Sequence, residues 1–375
     1  MTTTDYAVAP GAYLEEWIED QGLSQQRVAD MLGSSRKLVN EIVHGRAPIT
    51  TETALRLERV VGIPADAWLR YEALYRADRA RIVEEQALAA HVDEIGSQAA
   101  AYLRQLGATN ATKAKPGQLV SDFLTFHRCG TWEAYRYRRE LATQGDYALS
   151  ALKEAADAKV DDALLNTWLR AGEQSVDFET GRRFEYKPAN LRRVLPQLRE
   201  RAARPDSSML NDLAALLAGV GVVFMVVDPP SNFPLLGVTR WIDKRVPVIQ
   251  QTGRWGKDGF VIWTFFHELG HVLNDPRGEV HMEYRTEKKR NTAAEKSANA
   301  FARELLFGEA GLEPYRDLHW DWEISRAAKS QGVSPGVAVH QMHRTRLLDY
   351  RFGNSLCVDL KDTFTRGNRS IEDDA

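Results

Sequence analysis

Val261-Ile262-Trp263-Thr264-Phe265-Phe266-His267-Glu268-Leu269-Gly270-His271 decides the reading of this chain. An apolar run leads into two histidines four residues apart. On a helix, positions i and i+4 share one face about one turn apart, so both imidazoles can meet a single tetrahedral zinc ion. Glu268 is rotated off that face yet within reach of water activated by such an ion, which is where a hydrolase needs its general base. The apolar lead-in predicts a helix buried in a core. Histidines bonded to core carbonyls are the bland alternative.

A catalytic zinc needs a third protein ligand and an open position. The metzincin pattern would put glycine at 274 and histidine at 277, but Asn274 and Arg277 stand there. The next helical stretch, Ala293 to Ala302, supplies Glu295, which borders an apolar stripe of Ala294, Ala298, Phe301, Ala302 and Leu305. Asn299, one turn later, is expected to hydrogen-bond a zinc-bound histidine. Asp275, Glu279, His281 and Glu283 stay open as rivals to Glu295. His281, Tyr284, Arg240, His340 and His343 are conceivable further donors to a transition state, with none preferred.

His267-Glu268-Leu269-Gly270-His271, followed by a helix of the form E-x-x-A-N-x-F-A-x-x-L-L from Glu295, resembles the ImmA/IrrE metallopeptidases. Gly237-Val238-Thr239-Arg240-Trp241, Trp263-Thr264-Phe265-Phe266 and Gly332-Val333-Ser334-Pro335-Gly336-Val337 also resemble that family, over roughly residues 210 to 360. The resemblance implies a zincin-like fold, His267, His271 and Glu295 as zinc ligands, Glu268 as general base, and a partner repressor as the protein cleaved. One departure is Leu305-Leu306-Phe307-Gly308, where the family often has L-L-x-P. This affects a helix end and not the metal.

A second motif lies near the N-terminus. Leu23 to His44 fits a helix-turn-helix, with a first helix from Ser24 to Leu32 capped by Ser24 and with Val28, Ala29 and Leu32 inward. Gly33 supplies the turn, and Ser34 or Ser35 caps the recognition helix. Leu38 and Ile42 are expected inward, leaving Ser35, Arg36, Lys37, Asn40 and Glu41 outward. Arg36 or Lys37 can read guanine edges and Asn40 can pair with adenine, while Gln25 and Arg46 suit phosphates. A helical protein-interaction bundle with a solvated basic face is the alternative. Gly33 through Asn40, His44-Gly45-Arg46-Ala47-Pro48-Ile49-Thr50 with Ala54-Leu55-Arg56-Leu57, and Ala67-Trp68-Leu69 resemble HigA-type antitoxins of the lambda-repressor-like (XRE) class, over about residues 12 to 80. That resemblance implies a homodimer on a palindromic double-stranded DNA operator, with a toxin as a further conceivable partner.

Composition bounds the rest. At 375 residues two or three domains are expected, and a net charge of −3 means that DNA binding needs a local basic patch. Two distant cysteines, Cys129 and Cys357, fit free thiols in a reducing compartment and neither a disulfide framework nor a cysteine metal site. The start shows no secretory signal, and the longest uncharged apolar run, Leu213 to Val227, is too short for a membrane span. A cytoplasmic protein without membrane contact is expected.

The expected organisation is multi-domain. Residues 1–95 form an all-α helix-turn-helix domain, whose long helix after Pro64 carries Trp68, Tyr71, Leu74 and Tyr75 and continues in pattern to about Leu106. Residues 96–205 form a helical middle segment with a Gly107–Gly117 linker and Trp132, Tyr135, Tyr137 and Trp168 as anchors. Residues 206–360 form an α+β zincin-like domain with strands Val220–Val227, Leu235–Ile242 and Val246–Gln251, and 361–375 form a charged tail. The chemistry expected is a DNA-binding regulator with a Zn2+ endopeptidase domain acting on a protein target. A non-catalytic metal- or ligand-sensing transcription factor and a HigA-type antitoxin are the competing readings.

Overall fold

The computed structural model describes residues 7–144, 161–175, 183–242, 244–284 and 292–364. They fall into two compact units, one drawn from Met1–Ala90 and Lys113–Ser121, the other from His91–Thr112 and Asp122–Ala375. No helix among the described residues is long and apolar enough to cross a membrane.

The first unit holds α1 (Gly11–Asp20), α2 (Gln25–Leu32), α3 (Arg36–Val43), α4 (Thr51–Val61) and α5 (Ala65–Leu88). Ser24 Oγ accepts from Arg27 N and Ser35 Oγ from Leu38 N, capping α2 and α3. Gly33 closes α2 in the left-handed region at φ 58°, a conformation that costs glycine little. Leu14, Val28, Ala29, Leu32, Val39, Ile42, Ala54, Leu57 and Trp68 form one core. Val39, not Leu38, is the fully buried residue of α3, because the inward face is Val39, Ile42 and Val43 and Leu38 lies at its border. On α5, Trp68 is buried but Tyr71 and Leu74 are exposed, and Tyr71 stacks on Tyr13 at 5.5 Å. The expected continuous helix to Leu106 is broken by a 3-10 turn at Ala89–His91 and by Gly96 at φ 72°.

The second unit continues with α6 (Val92–Gln105), α7 (Pro116–His127, its start shared with the first unit), α8 (Trp132–Gln144), α9 (Asp162–Gln174), α10 (Pro188–Ala202) and α11 (Met209–Ala218). Trp132, Tyr135 and Trp168 are buried anchors as expected, whereas Tyr137 is exposed. After α11 come β1 (Val223–Val227), β2 (Leu235–Ile242), β3 (Val246–Thr252), α12 (Asp258–Asn274), β4 (His281–Tyr284), α13 (Ala293–Phe307), α14 (Asp321–Gln331) and α15 (Pro335–Arg344). The strands form one sheet in the order β1-β3-β2-β4, with β1 parallel to β3 and the other pairs antiparallel. β1 to β3 are buried throughout; β1 is wholly apolar, whereas β2 and β3 also bury Thr239, Arg240, Gln250, Gln251 and Thr252.

Both faces of the sheet are covered. Thr239 and Gln251 point toward α12, where they bond Glu268 Oε2 and Val261 O. Arg240 and Gln250 point the other way, to α9, where Arg240 lies 3.5 Å from Glu173 and Gln250 donates to Trp168 O. Of the expected tail, Lys361–Thr363 form a 3-10 turn and Phe364 is buried in the core, so the packed chain extends beyond residue 360. Residues 365–375 lie outside the described residues.

Candidate metal centre and DNA-binding face

From Asp258 to Leu273 every residue of α12 is buried, the largely apolar run Phe260–Phe266 leading into the buried polar groups His267, Glu268 and His271. Its first turn is tied down by Asp258, whose carboxylate accepts from Ser334 Oγ (2.8 Å) and Val358 N (2.9 Å). Three turns on, His267 and His271 turn their Nε2 atoms toward one another at 3.1 Å. Glu295, at the start of α13, brings Oε2 to 3.4 Å from His267 Nε2 and Oε1 to 3.5 Å from His271 Nε2. The α12–α13 approach is close because Gly270 has no side chain: a Cβ there would lie 2.9 Å from Ala298 Cα. Thr292 Oγ1 accepts from Glu295 N and starts α13 at the turn that carries the carboxylate.

These three groups could hold a metal ion, since their ligand atoms all lie within 4.8 Å of one another and all three residues are buried. Two imidazole nitrogens facing at 3.1 Å repel unless a proton or a cation lies between them. Glu295 Oε2 is buried with no hydrogen-bond partner. Two nitrogens and one carboxylate oxygen are a donor set that suits a divalent transition metal. The electrostatics agree. Burial lowers His271, but hydrogen bonds to Asp275 and Glu295 outweigh it and hold the ring up at about 10. Burial also opposes the charge on His267, yet Glu283 and Glu295 raise it. Burial raises Glu295, and the two histidines reverse this, leaving its carboxyl far below the usual range. The cluster attracts positive charge.

Glu268 is fully buried beside this group. Its Oε2 accepts from Thr239 Oγ1 at 2.6 Å, and its Oε1 has no partner. Burial pushes its carboxyl up to about 7, with His271 and His267 acting against that rise. Gly237 on β2 makes room for it, because a Cβ there would collide with Oε1.

Contrary to the expectation from sequence, Asn299 does not bond a histidine. Its Nδ2 donates to Glu295 O (2.8 Å) and its Oδ1 accepts from Arg344 (3.2 Å), so it ties α13 to α15 through the turn that carries Glu295. The partner of His271 Nδ1 is instead Asp275 Oδ2 at 2.6 Å. The remaining rivals to Glu295 also lie close by. Two of the rival sets form further groups whose ligand atoms lie close enough to hold an ion, His271 with Asp275 and His281, and His267 with Glu268 and Glu283; His281 also stacks on His271, and Glu279 lies 3.7 Å from His281. Sequence reasoning missed the roles of two residues at this site. Asp275, expected only as a rival ligand, was legible as i+4 from His271. Thr239 lies inside the Gly237–Trp241 stretch that resembles the family, where no role attaches to it.

On the first unit Arg36, Lys37 and Ser35 are exposed at the start of α3. Gln25 and Arg46 meet at Asn40: Asn40 Nδ2 donates to Gln25 Oε1 (3.2 Å) and Arg46 donates to Asn40 Oδ1 (2.8 Å). In the free protein Asn40 thus spends both ends of its amide on orienting its neighbours.

Residues 261–343 match the IrrE N-terminal-like domain family. The IrrE-like domain therefore spans α12, β4, α13, α14 and α15, with all three clustered groups inside it. Its fold is of metallopeptidase type. Residues 14–68 match the helix-turn-helix family, which covers α2 and α3. Virulence-associated protein I of Dichelobacter nodosus is 41% identical over 70 residues, which are 18% of this chain and 65% of that protein. This chain thus spans just under two thirds of that relative. Among solved structures, an antidote protein of a plasmid maintenance system from Nostoc punctiforme is 22% identical, covering 22% of this chain and 89% of that chain with a TM-score of 0.21. A HigA-family addiction module antidote protein from Coxiella burnetii is 28% identical, covering 22% and 90%, also with a TM-score of 0.21. The chain thus joins a stretch that matches the helix-turn-helix family to one that matches the IrrE N-terminal-like domain family.

Proposed function

We propose that this protein is a transcriptional regulator whose IrrE-like domain is a zinc-dependent endopeptidase acting on a repressor-type protein. The observation that carries the reading is the convergence of His267, His271 and Glu295, with Glu268 buried alongside. The histidines and Glu295 would hold the zinc. Bound there, zinc supplies Lewis acidity toward a peptide carbonyl and toward water. Glu268 is held by Thr239 through one oxygen and keeps the other, Oε1, for a water proton. It accepts that proton and returns it to the leaving amine. The dry surroundings strengthen each of these contacts. On the first unit, Arg36 and Lys37 would meet base edges in the major groove, with Ser35 at the helix start. Gln25 and Arg46, oriented by Asn40, would meet phosphates of a palindromic operator bound by a homodimer.

The test incubates zinc-loaded full-length protein with its own chain and with candidate helix-turn-helix repressors, and reads fragments by mass spectrometry. Cleavage that a chelator and Glu268→Gln both abolish is the expected result. Cleavage by Glu268→Gln at the parent rate overturns the role of Glu268. Bound zinc that alters operator affinity, with every protein left intact, replaces the peptidase by a sensor.

A further inference from the structure

Behind His271 lies an ordered layer of side chains. Asp275 follows four residues later, at the end of α12, with Oδ2 2.6 Å from His271 Nδ1. An ionised carboxylate only accepts, so Nδ1 carries the hydrogen. In a neutral imidazole the lone pair is then on Nε2, the atom that faces His267 and Glu295. His281 braces the same ring from β4. The two imidazoles stack with centroids 4.2 Å apart and planes 7° from parallel, and His281 Nε2 lies 3.2 Å from the same Asp275 oxygen. His281 is also the cross-strand partner of Thr239, the residue that holds Glu268. One rung of the β2–β4 ladder therefore reaches the base through one end and a clustered histidine through the other.

We propose that Asp275 and His281 are positioning residues of the metal centre, Asp275 setting the tautomer of His271 and His281 its ring plane. This rests on the reading of His267, His271 and Glu295 as metal ligands. It gives β4 a part in a centre whose ligands all come from helices, and it makes that part separable from peptide cleavage. A plain i,i+4 ion pair at a helix end would leave metal binding untouched.

The experiment measures zinc affinity of the full-length protein by competition with a chromophoric chelator, and the visible spectrum of the Co2+-substituted protein. Asp275→Ala should bind zinc about 10- to 100-fold more weakly, the usual range for loss of such a partner, and shift the Co2+ bands. Asp275→Asn, whose amide oxygen still accepts from Nδ1, should recover most of the affinity. His281→Phe, which keeps a stacked ring, should fall between wild type and His281→Ala. If Asp275→Ala does not fold, Asp275→Asn and the two His281 variants carry the test, since their order of affinity is fixed by the proposal. Folded Asp275→Ala or His281→Ala with wild-type affinity and spectrum overturns the proposal alone. Wild-type protein that takes up no zinc overturns the metallopeptidase reading and this inference together.

Discussion

Thr239 on β2 donates its hydroxyl to Glu268 Oε2 at 2.6 Å, joining the sheet to the helix below it at a buried carboxylate whose second oxygen is unused. A hydrogen bond to a charged group contributes about 1.5–3 kcal/mol. Thr239→Val keeps the shape and removes the donor, so cleavage should fall about 10- to 100-fold. Thr239→Ser should restore most of it. Equal rates for Val and Thr at 239 would show that Glu268 needs no anchor.

Gly237 faces the other oxygen of Glu268. An alanine methyl there must push the carboxylate aside or bend β2, an overpacking that costs about 1–3 kcal/mol. Gly237→Ala should lower the melting temperature and abolish cleavage. It should retain zinc, because the atoms nearest a Cβ at 237 all belong to Glu268 and not to the histidines or Glu295.

Zinc binding that selects the folded state should raise stability. At a thousand times its dissociation constant the metal adds about 4 kcal/mol. Thermal scans with and without zinc should show the gain in wild type and its loss in Glu295→Ala. A Glu295→Ala protein that is stabilised as strongly as the parent would remove Glu295 from the centre.

On the first unit, Lys37→Ala should weaken operator binding in a sequence-dependent way, as the loss of a base contact does. A uniform loss with the salt slope lowered by about one would move the lysine to a phosphate. Asn40→Ala should weaken binding to every sequence, because it releases both Gln25 and Arg46.

His127 gives the second unit an acid-sensitive point. It is buried among Phe123, Phe126 and Tyr135, and burial, aided by Arg170 and Arg138, holds its ring down at about 3. In the unfolded chain it titrates near 6.5, so between these values the unfolded state binds more protons and stability falls as pH falls. The contribution is intact above about pH 6.5 and should be reduced by about 2 kcal/mol at pH 5. Urea titrations at pH 7 and 5 should show this loss in wild type and a smaller one in His127→Phe.

The sequence was most informative where spacing alone dictates geometry. The i,i+4 histidines, the strands expected at Leu235–Ile242 and Val246–Gln251 (the second runs one residue further, to Thr252), and the Ser24, Gly33 and Ser35 punctuation of the helix-turn-helix all lie within one element or one turn. What it hid depends on contacts between elements. β4 is only four residues, His281-Met282-Glu283-Tyr284, too short for its polar–apolar alternation to stand out. Asn299 has the spacing to reach a histidine, but the nearby Arg344 and the Glu295 carbonyl satisfy it first. Leu38 and Val39 are both apolar, and only the crossing of α3 over its neighbours selects Val39.

Gly270 looks like the least chemical letter of its motif, yet the gap it leaves fixes how far Glu295 stands from the two rings. The nearest atoms across that gap belong to Ala298, on the same helix as Glu295. If His267, His271 and Glu295 hold an ion, the bore of their cradle is set by a missing methyl at 270 together with a minimal one at 298. Enlarging either would widen the cradle and favour a larger ion, or none, without altering a single ligand.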